Sequence, residues 1–455
     1  MKNTLRPDCY GLHMLVWAFL IFLALAVPAI IHAELLSEAQ KPSAAVFSAM
    51  RYGMFNHTVY KRTIGPGGKV DYHSLDEFVN RFDVEAYSDQ LQSIGIEYLF
   101  FTAWHAGIYN LGPNAALERW LPGHTAKRDL IGELADALNR RGIKLIIYTH
   151  PNDGEDLTPE EQERVGFIKP ENGVQRRMPK FNDFINDVYG ELAARYVSKP
   201  NILGFFWDGW SALNGAIDPG RLRKTLLAAM PHALVFSQVF DPSWIDFETQ
   251  ERYYKGRQPG DNIDKLVVQS ANQVTIFAGG WYCTGLSQHS SYTPETLFRF
   301  TVLQACGGAP GGMCWAVSPT CDGKTWGNGN IATMIKVNEY IKPVRSSLCG
   351  VAPSHNWTVP AGATYSTSRG YGATRSLDGK REYLHVLRHP IGQSIDIEAP
   401  RERFIAAKLL SNGHPVAMTS ITSESLRLTL GSNDRWEELD TVIVLERDTS
   451  VFRPR

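Results

Sequence analysis

The chain has 455 residues, of which 44% are hydrophobic and 20% charged, a composition typical of a globular protein with a sizeable core. Its 46 Lys and Arg residues balance 47 Asp and Glu residues, so the sequence has no excess of positive charge that would bind nucleic acid or anionic lipid. At about 150 residues per domain, this length favours two or three domains, or one large barrel with an appended domain. Because the positive and negative charges balance, we expect no nucleic-acid partner.

The first 33 residues have the pattern of a secretory signal peptide. Two basic residues precede the apolar run Leu15–Val27, and small residues after it allow cleavage after Ala29 or Ala33. A membrane span needs about 20 apolar residues, so an uncleaved anchor is the alternative only if the run continues to Ala33. We expect a mature protein that lacks residues 1–33, has no stable membrane span and is secreted, periplasmic or otherwise extracytoplasmic.

Export would permit disulfide bonds between cysteines. One of the six cysteines lies in the predicted signal peptide, and the other five are Cys283, Cys306, Cys314, Cys321 and Cys349. Three of them surround one predicted strand, so we expect a bond among Cys306, Cys314 and Cys321 and fewer than five free thiols. No CxxC spacing occurs, so the sequence does not predict a zinc site.

From about residue 44 the sequence alternates between apolar strands and helical segments. Strands are predicted over 52–57, 96–104, 143–150, 202–209 and 232–238, and helices over 83–95, 128–142, 181–196 and 221–230. Continuous apolar strands between helices indicate a parallel sheet that is covered on both faces. Over about 300 residues, this favours a (β/α)8-type barrel at 44–348. An open doubly wound sheet is the alternative, although no Gly-rich phosphate-binding motif follows a strand.

The sequence after Gly350 has a different pattern. The helical period disappears, and short segments such as "EYLHVLR" and "TVIVLE" are separated by turn signals such as "LDGK" and "SNG". We therefore predict a second, small antiparallel β-sandwich domain at 352–448.

Polar side chains end the first four predicted strands of the barrel. His57 ends the first strand, Trp104 and His105 the second, His150 the third and Asp208 the fourth. The carboxyl ends of barrel strands share one rim, where barrel enzymes hold their catalytic groups. Each residue also has a structural explanation, since Asp-Gly is a common turn pair and a rim histidine can simply be hydrogen-bonded. Their coincidence on one rim favours a functional site.

The residue types at this rim suit glycoside hydrolysis. A fixed carboxylate beside the anomeric carbon stabilises an oxocarbenium-like transition state and can form a covalent intermediate. Trp207 and Trp210 flank Asp208 and could cover the apolar face of a sugar, and histidines hydrogen-bond hydroxyl groups. Three histidines could also hold a metal ion. The segments around them lack the spacing of supporting ligands, so we predict no metal and no cofactor.

Several segments match motifs of one enzyme family in order and spacing. "RYGMFNH" is similar to F-G-M-F-x-H-W, "FFTAWHAG" to the segment that runs into T-x-K-H-H-D-G, "FFWDGW" to W-F-D-G-x-W, and "IDFETQE" to G-D-F-x-T-P-E. "KRDLIGELADALNRRGIKLIIY" matches a helix and strand of the family, and "LDTVIVLE" matches the end of its C-terminal β-domain. The chain therefore resembles glycoside hydrolase family 29, the α-L-fucosidases, along nearly all of its mature length.

The resemblance implies a retaining exo-glycosidase that releases α-L-fucose from fucosylated oligosaccharides or glycoconjugates. It implies that Asp208, in the segment similar to W-F-D-G-x-W, is the nucleophile. The side chains that it implies at the sugar are His57, Trp104, His105, Tyr148, Trp210 and Trp281.

The resemblance leaves the acid/base residue open. Many members of the family have a Glu where this chain has Asn272. The carboxylates that could replace it are Glu248, Glu251, Asp261 and Asp264. We favour Glu248, because "DFET" aligns with a rim segment of the family.

Further departures from the family motifs leave other functions open. Ala106 and Gly107 replace the second His and the Asp of H-H-D-G, and Gln238 replaces an Arg that usually contacts the sugar. One alternative is a fucosidase-like carbohydrate-binding protein that has lost hydrolysis. Another is a barrel glycosidase that acts on a different sugar.

Overall fold

The structure, a computed structural model, describes residues 41–60, 73–169, 171, 176–209, 216–238, 241, 243–252, 268–269, 273–277, 282–283, 292–317, 319–326, 330–364 and 367–448. For six residues it describes the backbone alone: Glu251, Arg252, Gln273, Val274, Ile276 and Phe277. The predicted signal peptide lies outside these ranges. Within them, no helix has the length and apolar character needed to cross a membrane.

Helices and strands alternate through the first three quarters of the described chain. The strands are β1 (Tyr52–Asn56), β2 (Tyr98–Thr102), β3 (Lys144–Thr149), β4 (Ile202–Trp207), β5 (Leu234–Ser237), β6 (Phe247–Arg252), β7 (Gln273–Phe277) and β8 (Met313–Ala316). The helices are α1 (Pro42–Ala49), α2 (Leu75–Asn80), α3 (Val84–Ile94), α4 (Ala115–Trp120), α5 (Leu130–Arg140), α6 (Pro159–Val165), α7 (Pro179–Tyr196), α8 (Pro219–Ala229), α9 (Pro294–Gly307), α10 (Asn330–Ile341) and α11 (Arg345–Leu348), with a 3₁₀ turn at Lys342–Val344. The predicted helices and strands of this part are confirmed, with ends shifted by a few residues.

The strands β1 to β8 form one parallel sheet. Each strand pairs with the next one in the sequence, and β8 pairs with β1, so the sheet closes on itself. This confirms the predicted mixed α/β class. The alternation of strand and helix is incomplete, because the described residues between β5 and β6 contain no helix and most of the connection from β6 to β7 is not described.

Local capping explains where the helices begin and end. Asp83 precedes α3 and its carboxylate accepts the N–H of Ala86 at 3.0 Å. Gly95 follows the same helix with a φ of 77°, a left-handed conformation that glycine adopts readily. Thr158 and Glu161 form a reciprocal capping box at the start of α6. Asp83 and the capping box therefore mark where their helices begin, and Gly95 ends α3 so that the chain can turn into β2.

Aromatic rings fill the barrel from its amino-terminal end upward. The centroids of neighbouring rings are 4.8–6.1 Å apart. The lower layer contains Phe47, Tyr98, Phe236 and Phe247, and the upper layer contains Phe55, Phe100 and Phe206. The barrel interior is therefore a packed core. Polar groups that need contact with solvent or substrate lie above it, at the carboxyl ends of the strands.

Two antiparallel sheets follow the barrel. Their strands are β9 (Val351–Pro353), β10 (Tyr371–Ser376), β11 (Arg381–Val386), β12 (Ser394–Glu398), β13 (Phe404–Leu409), β14 (Ala417–Thr422), β15 (Ser425–Thr429) and β16 (Thr441–Arg447). One sheet has the order β13-β16-β11-β10-β9 and the other β12-β15-β14. Both contribute to one hydrophobic cluster, which includes Leu384, Ile443, Ile397 and Leu428. The antiparallel arrangement is confirmed, although the sequence pattern did not predict β9, β10 and β14.

The predicted domain boundary falls between α11 and β9. Hydrogen bonds join the two sides, since the Arg51 guanidinium donates to the Val351 carbonyl at 2.7 Å and the Thr374 hydroxyl donates to the Ser347 carbonyl. Residues 47–455 form one compact unit. Separate domains at 44–348 and 352–448 therefore stay a prediction.

Candidate active site

Asp208 lies immediately after β4, at the carboxyl-terminal rim of the barrel. Its backbone N–H donates to the Thr149 carbonyl at 3.0 Å, which continues the pairing of β4 with β3 by one residue. One carboxylate oxygen accepts the Gly209 N–H at 2.7 Å, and the other accepts the Tyr148 hydroxyl. Both oxygens of Asp208 are thus held in place at the top of a rigid strand.

Position 209 favours glycine for two reasons, its backbone conformation and the lack of space for a side chain. Its φ is 76°, and a Cβ at this position would lie 2.7 Å from the His150 ring. Any other residue would push the His150 imidazole away. The Asp-Gly pair therefore does more than end a strand, because the glycine lets a histidine pack directly beside Asp208.

His57 lies at the end of β1 and is held among the same groups. Its Nδ1 hydrogen-bonds Thr102 Oγ1 at 2.9 Å, and its ring centroid is 4.5 Å from that of Tyr148 and 5.2 Å from that of His105. The Thr102 hydroxyl also donates to the Asn56 carbonyl at 3.4 Å, so the end of β2 holds the His57 ring against β1. Tyr148, His57 and His105 therefore lie together at the rim beside Asp208.

A carboxylate that the sequence did not predict, Asp153, joins two histidines. Its Oδ2 accepts from His105 Nδ1 at 2.8 Å and from the Ala106 N–H, and its Oδ1 lies 3.7 Å from His150 Nδ1. Burial opposes the charge on this carboxyl group, but His150, His105 and the Ala106 N–H outweigh burial and lower its pKa. Asp153 is therefore an ionised group between two histidines.

Both ring nitrogens of His105 have protein partners. Nδ1 hydrogen-bonds Asp153, and Nε2 lies 3.2 Å from the Tyr282 hydroxyl. Tyr282 follows β7, forms an isolated bridge with His57 and stacks on its ring at 4.8 Å. The sequence did not predict this tyrosine. A sugar hydroxyl that bonds to His105 would have to displace one of these two partners.

A disulfide bond fixes the segment that carries Tyr282. Cys283 is bonded to Cys321, with Cα atoms 4.8 Å apart. Among the described residues, Cys306, Cys314 and Cys349 form no disulfide bond. The predicted bond among Cys306, Cys314 and Cys321 is therefore wrong, because Cys321 is bonded to Cys283 and neither Cys306 nor Cys314 forms a disulfide. Cys283 follows β7 and lies at the same rim as Cys321.

The loop after β2 has an unusual backbone. Ala106, Gly107 and Ile108 have φ values of 57°, 75° and 57°. A left-handed conformation is uncommon for Ala and strained for a β-branched Ile, at a cost of about 1–3 kcal/mol each. Asp153 accepts the Ala106 N–H, and His124 Nδ1 donates to the Gly107 carbonyl at 2.9 Å. Neighbouring loops thus hold this turn in one conformation.

His105, His150 and Asp153 also form a group that could offer ligands to a metal, since their ligand atoms lie within 4.8 Å of one another. The two imidazole rings are stacked 5.0 Å apart and within 8° of parallel. The lone pair of an imidazole nitrogen lies in the plane of its ring, so two stacked rings do not direct their lone pairs at one ion. This arrangement suits hydrogen bonding to Asp153 better than tetrahedral coordination of a metal ion.

Glu248, the favoured acid/base residue, lies on the outer face of β6. The residue before it, Phe247, packs inside the barrel against Phe47 at 4.9 Å, and successive side chains of a strand face opposite sides. Glu248 Oε1 instead accepts a hydrogen bond at 2.9 Å from the side chain of Gln250, which lies on the same face. The preference for Glu248 is therefore corrected, because this carboxylate faces away from Asp208.

Trp104 lies behind the rim instead of inside it. Its indole ring packs edge-on against Tyr189 of α7 at 5.3 Å, and its N–H donates to the His150 carbonyl at 3.1 Å. Trp104 therefore supports the loop after β3 from the helix side of the barrel. The prediction that Trp104 contacts the sugar is corrected. The predicted site residues outside the described side chains are Trp210, Trp281, Glu251, Asp261 and Asp264.

We expect Tyr148→Phe to lower kcat/KM for a glycoside substrate by about 10- to 100-fold, because it removes a hydrogen bond to a charged carboxylate. The ring itself should stay in place, since it stacks on Phe206 at 5.3 Å. Tyr98→Phe is the matched control. The Tyr98 hydroxyl also lies inside the barrel, but it donates to the Gly311 carbonyl at the opposite end. Equal activity losses in the two variants would contradict a role for Tyr148 at Asp208.

Comparison with known proteins agrees with the fold. The model of one family, described as Alpha-L-fucosidase, matches residues 22–261, which is more than half of the chain. No curated protein sequence matches the chain.

The solved structures that resemble this fold include three bacterial α-L-fucosidases. The enzyme from Bacteroides thetaiotaomicron has a TM-score of 0.64 at 17% identity, with 91% of this chain and 97% of that chain covered. Isoenzyme 1 from Paenibacillus thiaminolyticus has a TM-score of 0.64 at 18% identity, with 90% and 100% covered. The Thermotoga maritima enzyme has a TM-score of 0.62 at 16% identity, with 89% and 97% covered. Taken with the match of the family model, the chain belongs to the α-L-fucosidase family of glycoside hydrolases.

Proposed function

We propose that this protein is a retaining exo-α-L-fucosidase in which Asp208 is the nucleophile. The observation that carries the proposal is the placement of Asp208, whose carboxylate is fixed by Tyr148 and Gly209 at the rim of the barrel. A carboxylate held in this way can reach an anomeric carbon from one side without reorganising. Family membership supports the substrate class, an α-L-fucosyl unit at the end of an oligosaccharide or glycoconjugate.

The reaction follows in two displacements. An oxygen of Asp208 attacks the anomeric carbon, the bond from that carbon to the leaving oxygen breaks, and an acid gives the leaving oxygen a proton. Water then attacks the same carbon, gives its proton to the conjugate base of that acid, and releases Asp208. Two inversions at one carbon retain the configuration. A similar structure of the Bacteroides enzyme is described as a trapped covalent intermediate in complex with 2-fluoro-fucosyl fluoride.

The polar groups around Asp208 suit the hydroxyl groups of a sugar. His57 has an imidazole ring, Tyr148 has a hydroxyl, and the rings of both lie within 5 Å of each other. Two similar bacterial fucosidase structures contain fucose-like inhibitors, a dihydroxy-methylpyrrolidine derivative in one and an iminocyclitol in the other. No step in this scheme needs a metal or a cofactor.

The direct test is hydrolysis of an aryl α-L-fucoside by purified protein, followed by ¹H NMR of the sugar. We expect α-L-fucose to appear first and to mutarotate afterwards. First appearance of the β-anomer would show inversion and would contradict a nucleophilic Asp208. Absence of hydrolysis, with binding of L-fucose intact, would instead favour the second candidate function.

The acid/base residue is the open part of the mechanism. A retaining pair of carboxyl groups lies about 5–5.5 Å apart, and the acid needs an environment that keeps it protonated. With Glu248 on the outer face, the candidates that remain are Glu251, Asp261 and Asp264. Gln or Asn at the true acid should slow an alkyl fucoside far more than a 2,4-dinitrophenyl fucoside, whose leaving group needs little protonation.

The second candidate function is a carbohydrate-binding protein that has lost hydrolysis. Two sequence features favour it: Asn272 where many members of the family have a Glu, and Gln238, directly after β5, where an Arg is usual. Such a protein would bind L-fucose through the same rim with no turnover of any aryl fucoside. Titration calorimetry with L-fucose, run beside the hydrolysis assay, separates the two functions.

We also propose that the protein is exported and that residues 1–33 are removed. The apolar run Leu15–Val27 is short for a membrane span and is followed by small residues. The intact mass of protein recovered from the extracytoplasmic fraction should correspond to a chain that starts after Ala29 or Ala33. A mass that includes Met1 would contradict cleavage, and recovery from the membrane pellet alone would favour an uncleaved anchor.

A further inference from the structure

The loop after β3 brings a histidine and an aspartate against the loop after β2. The loop after β2 itself lacks a histidine and an aspartate that the family motif has there. The loop after β2 has Ala106 and Gly107 in place of the second His and the Asp of H-H-D-G. The loop after β3 contributes His150 and Asp153, and Asp153 accepts the N–H of Ala106 itself. Asp153 thus lies against Ala106, and His150 stacks on His105 of the neighbouring loop.

We propose that His150 is a substrate-binding residue and that Asp153 positions it together with His105. This inference rests on the proposed function, because the ligand is the fucosyl unit that Asp208 would attack. The donors and acceptors around the rim assign a hydroxyl of that unit to His150, a residue that the family motifs do not predict.

The position of His150 places it beside the nucleophile. Thr149 pairs with Trp207 across β3 and β4, so the next residues along, His150 and Asp208, are neighbours at the rim. The close approach of the His150 ring to Gly209 shows the same adjacency. A group on His150 therefore meets the same bound sugar as the Asp208 carboxylate.

The ring nitrogens of His150 and His105 differ in what they can still bind. His105 uses both nitrogens, for Asp153 and for Tyr282. His150 Nδ1 is buried and has no hydrogen-bond partner among the described residues, yet 19% of the side chain is exposed. Nε2, unlike Nδ1, is not a buried nitrogen without a partner, so the exposed part of the ring includes Nε2. Of the two stacked rings, His150 is the one that can offer a nitrogen to a sugar hydroxyl.

Asp153 hydrogen-bonds the His105 ring and lies close to Nδ1 of the His150 ring. Its side chain is 9% exposed, and its two oxygens face different partners, His105 on one side and His150 on the other. The same carboxylate holds the strained turn by accepting the Ala106 N–H. Because Asp153 acts through the two histidines and not on the sugar, it is a positioning residue.

The experiment uses the mature protein with Asp208→Ala, so that a fucoside can bind without being hydrolysed. Binding of methyl α-L-fucoside and its 2-, 3- and 4-deoxy derivatives is measured by titration calorimetry, with and without His150→Ala. We expect His150→Ala to weaken binding of the parent fucoside by about 10-fold or more. We also expect the variant to bind one deoxy derivative as well as it binds the parent, because the partner of that hydroxyl is gone.

The matched control is His414→Ala. His414 also bonds an aspartate, Asp434, through Nδ1 at 2.8 Å, but it lies in the antiparallel part of the chain. It should leave both affinity and the preference among the deoxy derivatives unchanged. Asp153→Ala should reproduce the effect of His150→Ala, and the double variant should be no weaker than His150→Ala alone.

If His150→Ala discriminates among the three deoxy derivatives as the protein with His150 does, the assignment of His150 is overturned. The fucosidase proposal stands in that case. Additive losses in the double variant overturn the positioning role of Asp153. Absence of fucoside binding by the Asp208→Ala protein, together with absence of hydrolysis by the wild type, is failure of the proposed function itself.

Discussion

Replacing Asp208 with Ala is expected to lower kcat for an aryl α-L-fucoside by about 10⁴-fold or more, the scale of loss when a central catalytic group is removed from a hydrolase. The covalent glycosyl-enzyme intermediate cannot form without the carboxylate. Binding of L-fucose should persist, because Tyr148, His57 and their partners do not depend on Asp208 for their positions. The measurement is kcat under saturating substrate, with calorimetry for L-fucose.

Two controls make this loss interpretable. Asp378→Ala removes an aspartate from an exposed turn between β10 and β11, where it accepts hydrogen bonds from Ser376 and Lys380, and it should leave kcat unchanged. Azide added to Asp208→Gly should restore part of the turnover by attacking the open face of the anomeric carbon, with a β-fucosyl azide as product. Activity of Asp208→Ala near that of the wild type would remove Asp208 from the mechanism.

The rim residues that could be predicted share one property, which is that they end apolar strands. A continuous apolar run defines its own end within a residue or so, and parallel strands share one rim once the barrel is recognised. This is why His57, His150 and Asp208 were found from the sequence. The same alternation of strands and helices was enough for the α/β class and for most boundaries of the helices.

The misassigned residues show where pattern reasoning stops. Glu248 is one residue from Phe247, and a shift of one residue along a strand turns a side chain from the inside of the barrel to the outside. Trp104 lies beyond the last paired residue of β2, where the two-residue alternation no longer fixes a direction, and it turns toward Tyr189. The strand pairing determines the direction of both side chains, and a single sequence does not contain the strand pairing.

Asp153 and Tyr282 were missed for a different reason. Both lie in loops, and each matters through contacts with a histidine from another loop. Nothing in their local sequence distinguishes them from ordinary polar loop residues. In the antiparallel part, β14 has the sequence "AMTSIT" with nearly every side chain exposed, so it shows no alternation that would predict a strand.

Replacing both Cys283 and Cys321 with Ser is expected to lower the free energy of unfolding by about 4 kcal/mol, the chain-entropy value for a cross-link that spans 38 residues. Urea unfolding of the wild type and the variant measures the difference. The control is Cys349→Ser, which removes a free thiol and should cost far less. Thiol counting on denatured mature protein should give three thiols, those of Cys306, Cys314 and Cys349, and a count of five would contradict the bond between Cys283 and Cys321.

The same double substitution should also weaken binding of L-fucose by about 10-fold, because the disulfide holds the residue next to Tyr282 and this tyrosine bonds His105 and stacks on His57. Tyr282→Phe separates the two effects, since it removes the bond to His105 while the disulfide stays intact. We expect it to weaken binding without lowering the stability. If the disulfide variant is destabilised but binds L-fucose as the wild type does, the bond serves the fold alone. If both variants weaken binding and only the disulfide variant loses stability, the disulfide acts on the site through the position of Tyr282.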